Sequence, residues 1–475
     1  MIFLFIPFLW VLIKYFQHGI PDSSSFESWF FNSDSVLFYS LSKDIILNQG
    51  EIIDWYLPAA PSLFPTMFLI HFLSHIIKDI YFLNIAFLMA QLVLFYILLY
   101  FLIKYFTDKT YAYYFSFVII SLIVLILDFE PFLYYLKVDH HFGGFLNLLL
   151  CFILTINFLH ISNKLIGIGL FSLLTIATIS DPLILPHFSL PIIIVLYFFS
   201  ENSQNNRSLV FWVIFLASIL GYLLKQYFFE NNISNVTLNY EGVINSMYHI
   251  KVFFTEISTI SQNIIIFPLI YCLFKSGTIL LKKQKGAITI KQLLILFVSF
   301  SFLTSITVFL FFPSNIQFRY LINIYYLSII TSIILLYPFI NKIFNSNYSA
   351  ISRIIYVSIT LIAIIKSDWH ERFSFSYYPS DVSYLDKIVN ENKVEYGIAD
   401  YWDANRLFIL SKSEIKGIAP IKIDESNNGI IRKFITSELW RNKKFDFSYN
   451  INPEIIGVKF FDTFIRNNDT IYVFK

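Results

Sequence analysis

The sequence predicts an all-α polytopic membrane domain over residues 1–366, with about eleven transmembrane helices, followed by a small α/β domain over 367–475. Three observations predict it. The 475 residues are 57% hydrophobic and only 14% charged, where a soluble domain carries about 25% charged residues. Apolar runs of about 18 residues or more recur along the chain, which is the length needed to cross a bilayer as a helix. After residue 366 these runs stop, and helical and strand periodicities alternate.

The expected spans are residues 2–17, 80–103, 111–128, 143–161, 165–180, 182–200, 208–228, 262–281, 292–312, 320–340 and 352–366. The first has no basic start and no small-residue cleavage site after it, so it reads as an uncleaved span rather than a signal peptide. With the N-terminus inside, the inner loops collect Lys104, Lys109, Lys164, Arg207, Lys282, Lys283, Lys285, Lys291, Lys342 and Arg353. The outer loops are longer and hold only Lys43, Lys78, Lys137, Lys251 and Arg319. This bias predicts a cytoplasmic N-terminus and an extracytoplasmic tail. A net charge of +2 makes no case for nucleic acid as a partner. Cys151 and Cys272 both fall in apolar runs and fit no metal-ligand spacing.

Between the first two spans lies an outer loop over residues 20–79. Residues 35–48 alternate apolar and polar side chains with helical spacing, predicting an amphipathic surface helix whose Val36, Leu37, Tyr39, Ser40, Ile45 and Ile46 lie on or in the membrane surface. Gly50 is placed to end it, and Asp34 stands in its first turn, where the helix dipole favours a carboxylate. Pro58, Pro61 and Pro65 stiffen the return. Further outer segments are expected at 129–142 and at 229–261, the latter with an interfacial helix. The tail reads as helix 381–390, strand 394–399, helix 402–410, strand 415–421, helix 430–440 and strand 470–474.

Five places can carry chemistry. Asp34 is one, although aspartate at that position also suits a helix cap. Asp139, His140 and His141 form the second: Asp and His two residues apart can reach one divalent ion, and equally can form a polar cap at a membrane boundary. Gly143 and Gly144 follow and permit close helix packing. Asp181 stands between two apolar helices, where an ionisable group is by default functional, though Asp before Pro182 is also a good helix start. Arg319 can hold a phosphate through its guanidinium or snorkel to headgroups. In the tail, Tyr401, Trp402 and Asp403 sit where a strand passes into a helix, a usual place for a binding loop. Aromatics beside acids suit sugar recognition as well as ordinary packing. The sequence has no phosphate-cradling glycine loop, nucleophile elbow or zinc-protease motif.

The order of these features resembles the GT-C superfamily of membrane glycosyltransferases. The residues that carry the resemblance are Asp34 with SDSVLFYSLSKDII after the first span, the return WYLPAAPSLFP, and Asp139 after the third span. The motif Asp139-His140-His141 is similar to that of the oligosaccharyltransferase catalytic subunit, especially the archaeal type. Tyr401-Trp402-Asp403-Ala404-Asn405 stands near that family's Trp-Trp-Asp-Tyr-Gly and departs at its last two positions. The resemblance is continuous over about residues 30–190 and topological beyond.

It implies a transferase that takes a sugar from a polyprenyl phosphate or pyrophosphate carrier and passes it to a lipid, glycan or protein acceptor at the outer face. It implies Asp34, Asp139 and His141 as ligands of Mn²⁺ or Mg²⁺, with Asp34 and Asp139 catalytic and Arg319 on the donor phosphate. His140, Asp181, Tyr401, Trp402 and Asp403 are then donor or acceptor contacts. In a metal-free variant of the site Asp34 is instead a general base. A flippase of lipid-linked sugars and an inactive accessory scaffold are the rival readings. The paired broken helices common in transporters are not legible in the sequence.

Overall fold

The computed structural model describes residues 5–18, 30–58, 60–123, 141–161, 163–198, 205–229, 259–281, 289–311, 322–344, 348–366, 373–423, 429–431, 436–452, 460–466 and 469–474. The apolar part contains α1 (Ile6–His18), α2 (Ser33–Asn48), α3 (Phe68–Ile76), α4 (Ile80–Lys104), α5 (Lys109–Ser121), α6 (Phe142–Ile161), α7 (Lys164–Ser180), α8 (Leu190–Phe198), α9 (Asn205–Phe229), α10 (Thr259–Leu281), α11 (Ile290–Phe311), α12 (Ile322–Phe344) and α13 (Tyr348–Lys366). Five described helices are long and apolar enough to cross a membrane, within α4, α6, α9, α11 and α12. The expected count of about eleven is not reached by that measure. The other apolar helices, such as α7 and α8, are shorter. Phe68, Ile76, Tyr197, Phe267, Phe274 and Leu281 are exposed on the helices' outer faces, which suits hydrocarbon as solvent.

Two breaks shape the helical part. Residues Leu185–Ser189 form a wide turn that leads into α8, and α11 satisfies its carbonyl groups. Ser301 Oγ donates to the His187 carbonyl at 2.8 Å, and Thr304 Oγ1 to that of Pro186 at 2.5 Å. Irregular backbone among apolar helices is tolerated where neighbouring side chains re-satisfy it in this way. The second wide turn, Leu63–Met67, leads into α3. The end of the first loop is therefore an apolar helix.

α2 departs from its expected setting. Val36, Leu37, Tyr39 and Leu41 are buried within the protein and do not rest on a membrane surface. Tyr39 Oη donates to Asn84 Oδ1 at 2.8 Å, tying α2 to α4. The helix runs from Ser33 to Asn48, with Gln49 rather than Gly50 in the left-handed region (φ 55°). Gly50 is needed for another reason: a Cβ there would lie 2.9 Å from Asp44 Oδ2.

The tail holds α14 (Ser380–Asn392), β1 (Tyr396–Asp400), α15 (Tyr401–Leu410), β2 (Gly417–Ile423), β3 (Gly429–Ile431), α16 (Glu438–Arg441), β4 (Phe447–Tyr449), β5 (Phe460–Arg466) and β6 (Asp469–Phe474). They form one six-stranded sheet in the order β3-β2-β1-β4-β6-β5. β1 pairs in parallel with both β2 and β4, and the outer pairings are antiparallel. The expected helix 430–440 shrinks to α16, because Gly429–Ile431 pairs with β2 as an edge strand. β4 and β5 were not legible in advance: β4 is three residues long, and β5 alternates too weakly to stand out.

Candidate active site

The first loop and the tail meet along two helices. α2 and α15 lie side by side, and three contacts in register hold them. Tyr401 Oη donates to Asp34 Oδ1 at 2.5 Å. Ser40 Oγ donates to the Asn405 carbonyl at 3.4 Å. Lys43 Nζ donates to the Phe408 carbonyl at 2.6 Å and lies 4.6 Å from the centre of the Phe408 ring. Lys43 thus serves the C-terminal carbonyls of α15. Burial pushes its amine down to about 8, against an opposing pull from Asp386.

Asp34 is not the cap of α2. Asn32 is the cap, its Oδ1 accepting from Ser35 N at 2.8 Å. Asp34 is left to point its carboxylate at the tail. Tyr401 itself stands at the carboxyl end of β1, the central parallel strand. Asp400 caps α15 there by accepting from Trp402 N at 3.1 Å. This strand-to-helix junction is where α/β folds place ligand sites. Trp402 is 56% exposed beside it. Asp403 turns inward: Oδ1 accepts from Arg406 Nη2 at 3.1 Å and Nε at 3.3 Å. Burial raises its carboxyl, with Arg406 opposing. Arg406 also pairs with Asp381, so Asp403 belongs to an ion network inside the tail.

A second junction was missed from sequence. Asp44 is 0% exposed and accepts from Trp55 Nε1 at 2.8 Å, Trp440 Nε1 at 2.9 Å and Asn48 Nδ2 at 2.6 Å. The two indoles meet edge to face at 5.0 Å. A backbone bond from Tyr56 N to the Thr436 carbonyl at 3.0 Å runs beside them. The signal available was an acid three and seven residues beyond Leu41 and Leu37, on the apolar face of an amphipathic helix.

The third cluster lies at the start of α6. His141 has a left-handed backbone (φ 60°), and its Nδ1 is 2.8 Å from Asp181 Oδ2. Asp181 is 2% exposed, and its Oδ1 accepts from Leu183 N at 3.1 Å. One oxygen thus serves the start of the next turn, as a helix start does, and the other faces the imidazole. Gly144 makes room, since a Cβ there would lie 2.4 Å from Asp181 Oδ2. A Cβ at Gly143 would lie 2.4 Å from Thr66 Oγ1 and 3.2 Å from Pro65 Cδ. The return of the first loop is fixed to the same place. Ser62 N donates to the Ser180 carbonyl at 2.8 Å, Phe64 N to Ser180 Oγ at 3.0 Å, and Asn147 Nδ2 to the Phe64 carbonyl at 2.8 Å.

Asp139, His140 and Arg319 lie outside the described residues, as does most of each segment expected at 129–142 and 229–261. Among the described residues no three His, Cys, Asp or Glu side chains gather as a metal site. Of the expected ligands, Asp34 is bonded to Tyr401 and His141 to Asp181. A carboxylate and a carboxylate-held imidazole are oxygen and nitrogen donors that suit several divalent ions.

No protein-family model matches the chain, and no curated protein does. Solved structures do. The oligosaccharyltransferase of Archaeoglobus fulgidus in complex with zinc and sulfate is 13% identical, with a TM-score of 0.50, covering 94% of this chain and 67% of that one. The same enzyme tethered to an acceptor peptide containing the NVT sequon is 14% identical, with a TM-score of 0.47, covering 87% of this chain and 64% of that one. The chain therefore spans about two thirds of the length of the protein it matches, and the likeness is one of fold.

Proposed function

We propose that this protein is a membrane glycosyltransferase. It moves a sugar or oligosaccharide from a polyprenyl phosphate or pyrophosphate carrier to an acceptor at the outer face. The observation that carries this reading is the bond between Asp34, at the start of the loop helix, and Tyr401, at the carboxyl end of the tail's central strand. It joins the loop acid of the proposed site to the tail. The oligosaccharyltransferase-like fold supports it.

In this reading Asp34, Asp139 and His141 would hold a divalent ion, Mn²⁺ or Mg²⁺, which would supply charge stabilisation for the departing phosphate. Arg319 would bind the same phosphate, for which a guanidinium is suited. Asp34 is kept in place by Tyr401, and His141 by Asp181. Trp402 offers an exposed aromatic face to a sugar or a peptide. The Archaeoglobus enzyme's acceptor peptide and its zinc and sulfate make a protein acceptor and a metal-bound phosphate the first cases to test. The N-terminus is cytoplasmic and the tail extracytoplasmic.

The test is transfer from a radiolabelled pool of polyprenyl-linked sugars in membranes, comparing wild type with Asp34→Ala, each with and without EDTA. Loss in the variant and in EDTA is expected. Loss in the variant with no effect of EDTA would make Asp34 a general base. Transfer retained by Asp34→Ala would sink the assignment.

A further inference from the structure

Asp181 is held more firmly than a helix start requires. Its amide donates to the Ala177 carbonyl at 2.8 Å. The residue before it, Ser180, accepts from Ser62 N and Phe64 N. Oδ1 is taken by Leu183 N, and Oδ2 lies 2.8 Å from His141 Nδ1. Only glycine at 144 leaves space for that oxygen. The backbone that carries the imidazole is fixed as well: His141, in the left-handed region, accepts through its carbonyl from Phe145 N at 3.1 Å.

An ionised carboxylate only accepts hydrogen bonds. Oδ1 accepts from Leu183 N, and with Asp181 ionised Oδ2 can only accept, so the nitrogen facing it carries the proton. We propose that Asp181 is the positioning residue for His141, fixing the imidazole with its proton on Nδ1 so that Nε2 presents a lone pair to a bound divalent ion. The inference rests on the proposed ligand role of His141. An acid that orients a histidine through its second nitrogen fixes both tautomer and ring direction. Gly144 belongs to the same device: it admits the carboxylate to the side of α6 on which His141 begins.

Asp181→Asn tests this with little change of shape. An asparagine offers one oxygen and one NH₂ group. It cannot accept from both Leu183 N and His141 Nδ1, so the imidazole proton is expected to move to Nε2. The experiment uses the full-length protein in detergent with ¹⁵N-labelled histidine, the His141 signals being assigned by their loss in His141→Gln. Wild type should show protonated Nδ1, and Asp181→Asn protonated Nε2. Mn²⁺ binding, read by electron paramagnetic resonance, should weaken about 10- to 100-fold in the variant. Gly144→Ala displaces the carboxylate without removing it and should weaken Mn²⁺ binding in the same direction, which covers the case in which Asp181→Asn does not fold.

Protonated Nε2 in wild type would overturn the proposal without any variant. So would an unchanged tautomer and unchanged Mn²⁺ affinity in Asp181→Asn. If wild type binds no Mn²⁺ but the tautomer shifts as expected, the positioning role stands and the metal-dependent reading of the site falls.

Discussion

Tyr401 donates its phenolic hydroxyl to Asp34 across 367 residues of chain, at 2.5 Å. Tyr401 is 8% exposed, so the bond is sheltered from water, and a hydrogen bond to a charged group is worth about 1.5–3 kcal/mol. Tyr401→Phe keeps the ring and removes the bond. Transfer is expected to fall about 10- to 100-fold with the protein still folded. Kinetics on purified protein, with circular dichroism as the control, would check it. Unchanged transfer would mean that Asp34 needs no help from the tail.

The Asp44 clamp should matter for stability rather than for chemistry. Asp44→Ala leaves two buried indole N–H groups without their acceptor, while the Asn48 amide keeps the Lys416 carbonyl. Each such group costs about 1–3 kcal/mol, so thermal unfolding in detergent should fall by several degrees. Limited proteolysis should cut the tail sooner than in wild type. An unchanged melting curve would show that the loop–tail contact is held elsewhere.

Lys43 predicts a pH dependence. In the unfolded chain its amine keeps a proton up to its ordinary value of 10.5, whereas in the folded chain burial brings it to about 8. Between those values the unfolded state binds more protons, so stability rises with pH from about 8 to about 10.5. Below 8 both states are protonated and this contribution is flat, with the burial cost in full. The span corresponds to at most about 3 kcal/mol. Denaturant midpoints at pH 7.5, 9 and 10.5 should rise in wild type and rise less in Lys43→Met.

Gly143 sits against Thr66 and Pro65, and Gly143→Ala drives a methyl into both. Overpacking of this kind costs about 1–3 kcal/mol. Adding Thr66→Ala should recover part of it, because the nearer of the two contacts is then gone. Unfolding midpoints of the single and double variants would measure this. Equal midpoints would show that the backbone yields instead.

Trp402 is 56% exposed, and its ring centre lies 4.9 Å from that of Tyr401. Trp402→Ala should leave the unfolding curve within about 0.5 kcal/mol of wild type, as for other surface changes. Apparent affinity for the acceptor should drop at the same time. A change in stability without a change in acceptor KM would assign Trp402 to packing.

Much of this protein is determined by its sequence alone. Long apolar runs such as Ile80–Lys104 have to become helices in an apolar solvent, because only a helix satisfies its own backbone there. The alternation around Tyr396–Leu410 marks a strand and a helix with no reference to anything distant. Asp34, Asp181 and Tyr401 stand out because a polar group at a helix or strand end is conspicuous in a chain this apolar.

Tertiary structure decided which of these groups meet. Nothing local pairs His141 with Asp181, Asp34 with Tyr401, or Asp44 with two tryptophans almost 400 residues apart. It also decided that α2 is buried: an amphipathic pattern shows that one face avoids water, and whether lipid or protein covers that face depends on where α15 lands. The wide turn at Leu63–Met67 and the close approach at Gly144 follow the same logic. Each is a local irregularity made stable by partners from other helices, and burial energy depends on the assembled surroundings rather than on neighbours in the chain.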